Sequence, residues 1–127
     1  MRTKVTTAII GSRNLTSYRD FLYAIKPYEE RISAVTSGGA LGVDSNAKRY
    51  AKDRGLLFQE FPAKWEVYGK DAGFIRNRHI IENCKLCIAL WDGKSSGTQH
   101  SIKLAKQMNK ELIIIQFPLE ENPINID

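Results

Sequence analysis

The sequence predicts an α/β fold in which a five-stranded parallel sheet has helices on both faces. Three observations lead to this fold class: apolar segments of strand length alternate with amphipathic segments, turns containing glycine separate the two, and 127 residues suffice for one domain with a real core. Because crossovers between parallel strands are right-handed, the turns that follow the strands lie at one rim of the sheet. Ligands of such folds bind at that rim, in the crevice where the strand order reverses.

Five segments have the apolar composition and the length of buried strands. They comprise residues 5–10, 32–36, 56–61, 86–91 and 112–116. The segment that follows, 117–127, contains two prolines and three acidic residues and is expected to be irregular. We therefore expect residues 1–127 to form a single domain with an irregular tail and without internal repeats.

The segments between these strands carry apolar residues at helical spacing. In the first of them Ser17 and Asp20 resemble a capping box, and Pro27 should kink the helix or end it near Lys26. The sequence predicts further helices over residues 43–54, with Gly55 as the C-terminal stop, over 73–83, and from Thr98, and a loop over 62–70. These helices complete the alternation that a parallel sheet requires.

The turn between the second strand and its helix is the most informative segment of the chain. Its sequence is Ser37-Gly38-Gly39-Ala40-Leu41-Gly42-Val43-Asp44. Glycine lets another molecule approach the backbone closely, and the free N–H groups of a helix start suit a phosphate or another anion. Asp44 could instead stabilise those N–H groups, or it could bind a sugar hydroxyl. Many α/β proteins need such a turn only to redirect the chain. The evidence for a ligand site comes from the presence of two similar turns elsewhere in the sequence.

These two similar turns follow the first and the fourth strands. Gly11-Ser12-Arg13 combines a flexible backbone, a hydroxyl and a guanidinium, which suits phosphate, although an exposed arginine after a turn is the alternative. The segment Asp92-Gly93-Lys94-Ser95-Ser96-Gly97-Thr98 ends where a helix begins. Its hydroxyls and N–H groups could form an anion site, or Thr98 could be a plain N-cap. The residue order is not that of a Walker A loop.

Two further features bear on the site, and each leaves a functional and a structural interpretation open. Arg76-Asn77-Arg78 lies near a helix start. Residues 76 and 78 cannot share one helix face, so at most one arginine should enter the site, and a solvated basic face is the alternative. Trp65 and Tyr68 could stack on a base, or they could pack their long loop against the domain.

The sequence offers little evidence of a metal, redox or hydrolytic site. Cys84 and Cys87 form a C-x-x-C without the second ligand pair or the helix-start context of a zinc or redox site, so buried structural thiols are expected. His79 and His100 lack a neighbouring ligand cluster, and no catalytic triad or paired-carboxylate signature stands out. We expect no metal and no cofactor.

Charge and hydropathy set broad limits. The net charge of +5 and the pI near 9.3 favour anionic ligands without choosing between a nucleotide and a nucleic acid. No apolar run approaches the ~20 residues of a membrane-spanning helix, and the N-terminus lacks the apolar region of a signal peptide. We therefore expect a cytoplasmic protein.

Taken in order, these motifs resemble the SLOG superfamily, and specifically its YspA-like (cpYpsA-related) branch. The matching segments lie between about residues 5 and 116 and comprise Gly11-Ser12-Arg13, Ser37-Gly38-Gly39-Ala40 with Gly42-Val43-Asp44 and Ala47, Phe61-Pro62-Ala63 with Trp65, Gly69-Lys70 with Ala72-Gly73, Arg76-Asn77-Arg78, and Trp91-Asp92-Gly93 with Ser96-Gly97-Thr98. The resemblance implies a Rossmann-like fold, for which we expect the strand order 3-2-1-4-5. It also implies binding of nucleotides or nucleotide-derived ligands, in bacteria or phages.

The same superfamily contains the LOG (Lonely Guy) phosphoribohydrolases, which cleave the base from a nucleoside 5'-monophosphate. By similarity their catalytic arginine falls on Arg76, and Gly97-Thr98 matches part of their glycine-rich motif. Ser101 stands where their catalytic glutamate should be, and serine neither stabilises a cation-like sugar nor activates water well. Asp92 or Asp44 would have to substitute. The superfamily also includes a DNA-binding recombination mediator, so the fold is compatible with a nucleic-acid role.

The sequence therefore predicts first a protein that binds a small nucleotide or nucleotide-derived signal, as a sensor or a sequestering protein. The predicted ligand contacts are Gly11, Ser12, Arg13, Ser37, Gly38, Gly39, Ala40, Asp44, Trp65, Arg76, Asn77, Gly93, Ser96, Gly97 and Thr98. Among them, Asp44 and Asn77 would position the sugar or the base. The alternative is an N-glycosidic hydrolase of nucleoside monophosphates, with Arg76 and Asp92 as catalytic candidates. Single-stranded nucleic-acid binding ranks last because the basic residues are scattered, so nucleic acid is not an expected partner, whereas a homo-oligomer is.

Overall fold

The computed structural model describes residues 3–117, which contain a five-stranded sheet. The strands are β1 (Val5–Gly11), β2 (Ile32–Gly38), β3 (Leu57–Phe61), β4 (Leu86–Trp91) and β5 (Glu111–Gln116). All neighbouring pairs are parallel, and the order is β3-β2-β1-β4-β5. This Rossmann-like arrangement confirms the predicted fold class and strand order. The order reverses between β1 and β4, which opens a crevice at their carboxyl ends.

Helices cover both faces of the sheet. They are α1 (Tyr18–Ile25), α2 (Val43–Asp53), the short α3 (Trp65–Tyr68), α4 (Ala72–Glu82) and α5 (Ser96–Gln107), with 3-10 turns over Lys26–Arg31 and Gly69–Asp71. α1 and α2 pack on one face, and α4 and α5 pack on the other. Successive strand residues alternate between these two cores, so Ile9 belongs to the first core and Ile10 to the second. Within residues 3–117, none of the helices is long and apolar enough to cross a bilayer.

Local signals set the helix ends. Ser17 Oγ accepts a hydrogen bond from Asp20 N at 3.2 Å, which is the N-cap half of the predicted capping box. At Pro27 the chain has already changed from α1 to a 3-10 turn, because proline has no N–H to donate to the preceding turn. Gly55 follows α2 with a φ of +66°, as the predicted C-terminal stop requires.

Two segments differ from the sequence prediction. The predicted loop over 62–70 contains α3 and part of a 3-10 turn. α5 begins at Ser96 rather than at Thr98 because Ser95 is the N-cap, with its Oγ accepting a hydrogen bond from Thr98 N at 3.4 Å. Most of the segment predicted to be an irregular tail, 117–127, lies outside the described residues, and Phe117 itself is buried.

Cys84 and Cys87 are buried free thiols in the core between the sheet and the α4 and α5 layer. Burial raises the pKa of both thiols, which keeps them protonated and poorly nucleophilic. In the described part of the chain, no three His, Cys, Asp or Glu side chains gather as a metal site.

Candidate functional site

An open cavity of about 370 Å³ lies at the carboxyl rim of the sheet, where β1 and β4 end. Its wall is built from the turns after β1, β2 and β4 and from α3, α4 and the start of α5. Ten of the residues predicted as ligand contacts line it: Gly11, Arg13, Ala40, Asp44, Trp65, Arg76, Asn77, Ser96, Gly97 and Thr98. Segments far apart along the chain therefore converge on one pocket.

Hydrogen bonds of Ser12 connect three of these segments. The N–H of Ser12 donates to Leu90 O at 3.2 Å, and its carbonyl oxygen accepts from Val43 N at 3.4 Å. Its Oγ accepts from Asp92 N at 3.3 Å. Ser12 is 1% exposed and does not line the cavity. It fixes the turn after β1 against the end of β4 and the start of α2.

Gly42 lets α2 begin directly against the turn after β1. Its φ is +76°, a backbone conformation that residues with a side chain rarely adopt. A Cβ at this position would lie 2.6 Å from Ser12 O and would overlap Arg13 O. The glycine is therefore required by both the backbone angle and the space.

Arg76 reaches from α4 to the turn after β2. A Cβ on Gly38 would lie 2.6 Å from Arg76 Nη1 and 2.7 Å from Asp44 Oδ2, so the missing side chain is what lets the guanidinium and the carboxylate approach the backbone. Asp44 is buried and accepts from Ala40 N at 3.2 Å, and Ser37 Oγ lies 3.0 Å from its Oδ1. Burial raises the pKa of Asp44, and these hydrogen bonds and the Arg76 charge offset that effect only in part.

Asn77 links Arg76 to the start of α5. Arg76 Nε donates to Asn77 Oδ1 at 3.1 Å, and Asn77 Nδ2 donates to Gly97 O at 3.3 Å. The same Nδ2 lies 3.2 Å from His100 Nδ1, and the His100 ring contacts Phe74 with 4.6 Å between centroids. Burial and two nearby cations lower the pKa of His100, which favours the neutral ring with Nδ1 as the acceptor. The Asn77 amide is thus engaged at both ends within the protein, and its oxygen holds the Arg76 side chain; its predicted contact with a sugar or base stays a prediction.

Hydrogen bonds to the Asp92 carboxylate stabilise the loop between β4 and α5. Oδ1 of Asp92 accepts from Ser95 N and Lys94 N, each at 2.8 Å, and these hydrogen bonds lower the pKa of its carboxyl. Asp92 does not line the cavity, and its carboxylate is used within the loop. Within residues 3–117, the N–H groups of Ser96 and Gly97 at the start of α5 have no acceptor, and both residues line the cavity. The donors for an anion are therefore backbone N–H groups, next to the cations.

Exposed aromatic and cationic side chains surround the cavity mouth. Trp65 and Phe74 line it and are 57% and 55% exposed. Arg13 and Lys70 also line it and are exposed, and neither forms an ion pair with a described residue. The mouth thus presents unpaired positive charge beside flat apolar surface.

The remaining predicted contacts shape the turns without entering the cavity wall. They are Ser12, Ser37, Gly38, Gly39 and Gly93. Ser37 is buried, with its Oγ 2.7 Å from Ile9 O. Gly39 is turned towards Glu60, since a Cβ there would lie 3.0 Å from Glu60 Oε2. Gly93 has a φ of +82°, and the position that a Cβ would take there is open space.

Lys70 and Phe74 line the cavity, but sequence reasoning did not select them as ligand contacts. Phe74 fits the apolar pattern of its helix, and its exposure follows only from how α4 packs. Lys70 lies on the 3-10 turn where a loop was predicted; it belongs to a segment that carried the family resemblance, but no ligand contact was assigned to it. Ser101 also lines the cavity and is 3% exposed, but a hydroxyl supplies no catalytic carboxylate. Of the two arginines on α4, Arg76 lines the cavity and Arg78 does not.

No family model matches the chain. The Gene 61 protein of Mycobacterium phage D29 is 37% identical over 79 residues, an alignment that covers 58% of this chain and 63% of the phage protein. The chain therefore spans less than two thirds of the length of that relative.

Two solved structures resemble the chain over nearly its whole length. DNA processing protein A from Helicobacter pylori has a TM-score of 0.68 at 24% identity, covering 98% of this chain and 71% of that protein. DNA processing protein A from Streptococcus pneumoniae has a TM-score of 0.72 at 17% identity, covering 94% and 52%. The fold is shared with DNA processing protein A. The Helicobacter structure describes a single-stranded DNA binding mode of that protein.

These comparisons correct three predictions made from the sequence. The assignment to the YspA-like branch of the SLOG superfamily, with its distant similarity to LOG phosphoribohydrolases, is contradicted, because the matching structures are DNA processing protein A. The nucleotide sensor or sequestering function and the expectation that nucleic acid is not a partner are contradicted as well, because the Helicobacter protein that shares the fold binds single-stranded DNA. Glycine-rich turns carried those predictions, and such turns occur on many α/β folds with different ligands. The expected homo-oligomer stays a prediction.

Proposed function

We propose that the protein binds single-stranded DNA in the cavity at the carboxyl rim of its sheet. One observation carries the proposal: three cationic side chains line the same open cavity as two exposed aromatic ones. These are Arg13, Lys70, Arg76, Trp65 and Phe74. Cations neutralise phosphates, and aromatic faces stack on any base. Proteins that bind single strands without sequence preference use this combination.

The contacts divide into fixed and adaptable ones. Arg76 is held by Asn77 and packs against Gly38, so it presents a guanidinium in a defined position for one phosphate. The free N–H groups of Ser96 and Gly97 add donors at the positive end of α5. The exposed side chains at the mouth can adjust to successive nucleotides.

The similarity to DNA processing protein A supports the proposal, because the Helicobacter protein of the same fold binds single-stranded DNA. The net charge of +5 also favours a polyanion over a neutral partner. Because a fold hosts many functions, the side chains of this chain, rather than the shared fold, specify the proposed contacts.

The test is equilibrium binding of a fluorescein-labelled oligothymidylate, measured by anisotropy, with an unlabelled duplex of the same length as competitor. We expect micromolar or tighter binding at about 50 mM salt and clearly weaker binding at about 200 mM, because phosphate contacts release counterions. Trp65→Ala should lower the affinity by roughly 5- to 150-fold, equivalent to about 1–3 kcal/mol for one stacked base. The duplex should compete poorly, since its bases are not free to stack.

Lys52→Ala is the matched control for Lys70→Ala. Lys52 is an exposed lysine in the last turn of α2, at the opposite end of that helix from the cavity. Lys70→Ala should weaken binding and reduce its salt dependence, whereas Lys52→Ala should change neither. Absence of single-strand binding at the lower salt concentration, or equal losses in the two lysine variants, would contradict the proposal.

A further inference from the structure

A groove beside α5 lies next to the cavity. The groove has a volume of about 630 Å³ and is lined by residues of β4, β5 and α5. They include Trp91, Gln99, Lys103, Lys106 and Ile114. Ser96 lines both the groove and the cavity, so the two are adjacent at the first turn of α5.

The groove carries positive charge and no carboxylate. Lys103 and Lys106 are exposed and form no ion pair with any of the residues 3–117. They are three positions apart on α5, so they lie on one face of the helix. No Asp or Glu is among the described residues that line the groove. His100, which lines it as well, is kept neutral because burial, Arg78 and Lys103 lower its pKa.

Apolar surface lies beside these lysines. Trp91 Nε1 donates to Ser95 O at 3.0 Å, which fixes the indole next to the start of α5. Ile114, on the edge strand β5, is 46% exposed. The groove therefore repeats the combination of cations and flat apolar surface that the cavity presents.

The side of the cavity that faces away from α5 is less suited to a polyanion. A neighbouring cavity on the other side shares Arg76 with the site and also has Lys64 in its wall. However, it contains the carboxylate of Glu60, which lies 3.5 Å from Lys48 Nζ, whereas the groove beside α5 has no carboxylate among its described lining residues. A phosphate there would meet a carboxylate, which disfavours the contact. Charge therefore favours the path over α5.

We infer that a single strand held in the cavity continues across the first turn of α5 into this groove, where Lys103 and Lys106 contact its phosphates and Trp91 contacts a base. The inference rests on the proposed function and adds a second, length-dependent subsite to it. Lys103 and Lys106 follow Ser96 by seven and ten residues, or about 10 and 15 Å along the helix at 1.5 Å per residue. Oligonucleotides too short to cover this distance should not use the lysines.

The two tryptophans of the chain report on the two subsites separately. Trp65→Phe leaves Trp91, in the groove, as the fluorophore, and Trp91→Phe leaves Trp65, at the cavity. Each variant is titrated with oligothymidylates of increasing length. We expect short oligonucleotides to quench Trp65 and only longer ones to quench Trp91. Quenching of both from the same length, or no quenching of Trp91 at any length, would overturn the inference.

A double variant, Lys103→Ala with Lys106→Ala, tests the phosphate contacts. Its matched control is Lys26→Ala with Lys52→Ala, which removes the same charge from exposed positions on the other face of the sheet. We expect the Lys103 and Lys106 variant to bind short oligonucleotides as the control does and long ones about tenfold more weakly. Its salt slope for long oligonucleotides should fall by about 1.4, at roughly 0.7 per phosphate contact on a single strand.

The outcomes separate the two proposals. If the unmodified protein binds no single strand of any length, both the proposed function and this inference fail. If it binds single strands but the Lys103 and Lys106 variant equals its control at every length, the groove is not a subsite while the cavity proposal stands.

Discussion

Arg76 Nε donates a hydrogen bond to Asn77 Oδ1 at 3.1 Å, so the cation inside the cavity is held by its neighbour in sequence. The other end of the same amide donates to Gly97 O at 3.3 Å. The position of the guanidinium is therefore coupled to the first turn of α5, whose N–H groups also line the cavity.

Asn77→Ala should weaken single-strand binding through Arg76, although Asn77 is 7% exposed and its amide is used within the protein. We expect a loss of about tenfold, or roughly 1.4 kcal/mol, because the guanidinium is no longer held in place. In an Arg76→Ala background the same change should cost much less. A double-mutant cycle by anisotropy measures this coupling. Asn83→Ala, at the end of α4, is the control, and fully additive losses would contradict the positioning role.

Gly38→Ala should lower both affinity and stability. The added Cβ would lie 2.6 Å from Arg76 Nη1, the free end of a flexible side chain, and 2.7 Å from Oδ2 of the buried Asp44, so both groups would have to move. Arg76 would then leave its place in the cavity. Oligothymidylate affinity and the free energy of unfolding in urea are measured on the same variant. Unchanged affinity would show that the placement of Arg76 against Gly38 is not needed for binding.

Gly42→Ala should destabilise the fold strongly. The new Cβ would meet backbone atoms of Arg13 and Ser12 at a φ of +76°. Gly55→Ala is the matched control, because Gly55 has a φ of +66° with nothing within 4 Å of its Cβ position. The control should lose about 1 kcal/mol from the backbone angle alone. Urea unfolding should show a clearly larger loss for Gly42→Ala, and equal losses would exclude the steric contribution.

Asp44→Asn should become increasingly stabilising, relative to the unmodified protein, as pH rises. Burial raises the pKa of Asp44 in the folded state above its ordinary value of 3.8. Its protonated form therefore favours folding, and that contribution is lost as pH rises through the raised pKa. The asparagine has no charge to bury. Urea unfolding of both proteins at several pH values between about 4 and 7 gives the difference. A difference that shrinks with rising pH would contradict this account.

Asp44→Asn should also bind single-stranded DNA a few-fold more tightly at neutral pH. Asp44 lines the cavity and acts on the charge of Arg76, so its carboxylate opposes a phosphate at that position. The comparison is made by anisotropy at one salt concentration. Weaker binding by Asp44→Asn would indicate that the carboxylate itself holds the DNA or orients Arg76.

His100 should make the stability depend on pH with a sign opposite to that of Asp44. Burial, Arg78 and Lys103 lower the pKa of His100 in the folded state below the ordinary value of 6.5. The unfolded state therefore binds more protons just below that pH, and stability falls as pH drops from about 6.5 towards the lowered pKa. His100→Asn should remove this part of the pH dependence. The difference between the two proteins in urea unfolding isolates it, and a difference that does not change with pH would contradict the prediction.

The fold was predictable because its signals are local and repeated. Each strand is a short apolar run, and signals such as Ser17 and Gly55 mark helix ends where the structure has them. The start of α5 was misplaced because Ser95 and Thr98 are both good N-caps, and the folding of the loop around Asp92 decides between them. Such a choice depends on geometry that no sequence pattern encodes.

The site was predictable only where backbone shape and topology determine it. The convergence of the turns follows from the parallel sheet, but Lys70 and Phe74 enter the cavity through the packing of α3 and α4. Asn77 is a polar residue on a helix in the sequence, and its role as a link appears only in the hydrogen bonds to Arg76 and Gly97. The proposed DNA ligand rests on those side chains, whereas the glycine turns alone led to the prediction of a free nucleotide.

Ser12 joins the turn after β1, the end of β4 and the start of α2 through backbone groups and its own hydroxyl. Under the proposed function, these walls have their spacing before an oligonucleotide arrives, and adaptation on binding is confined to exposed side chains at the mouth. Most of the entropy lost on association must then come from the DNA itself. An oligonucleotide chemically stiffened in an unstacked, extended shape should accordingly bind more tightly than a flexible one of the same sequence.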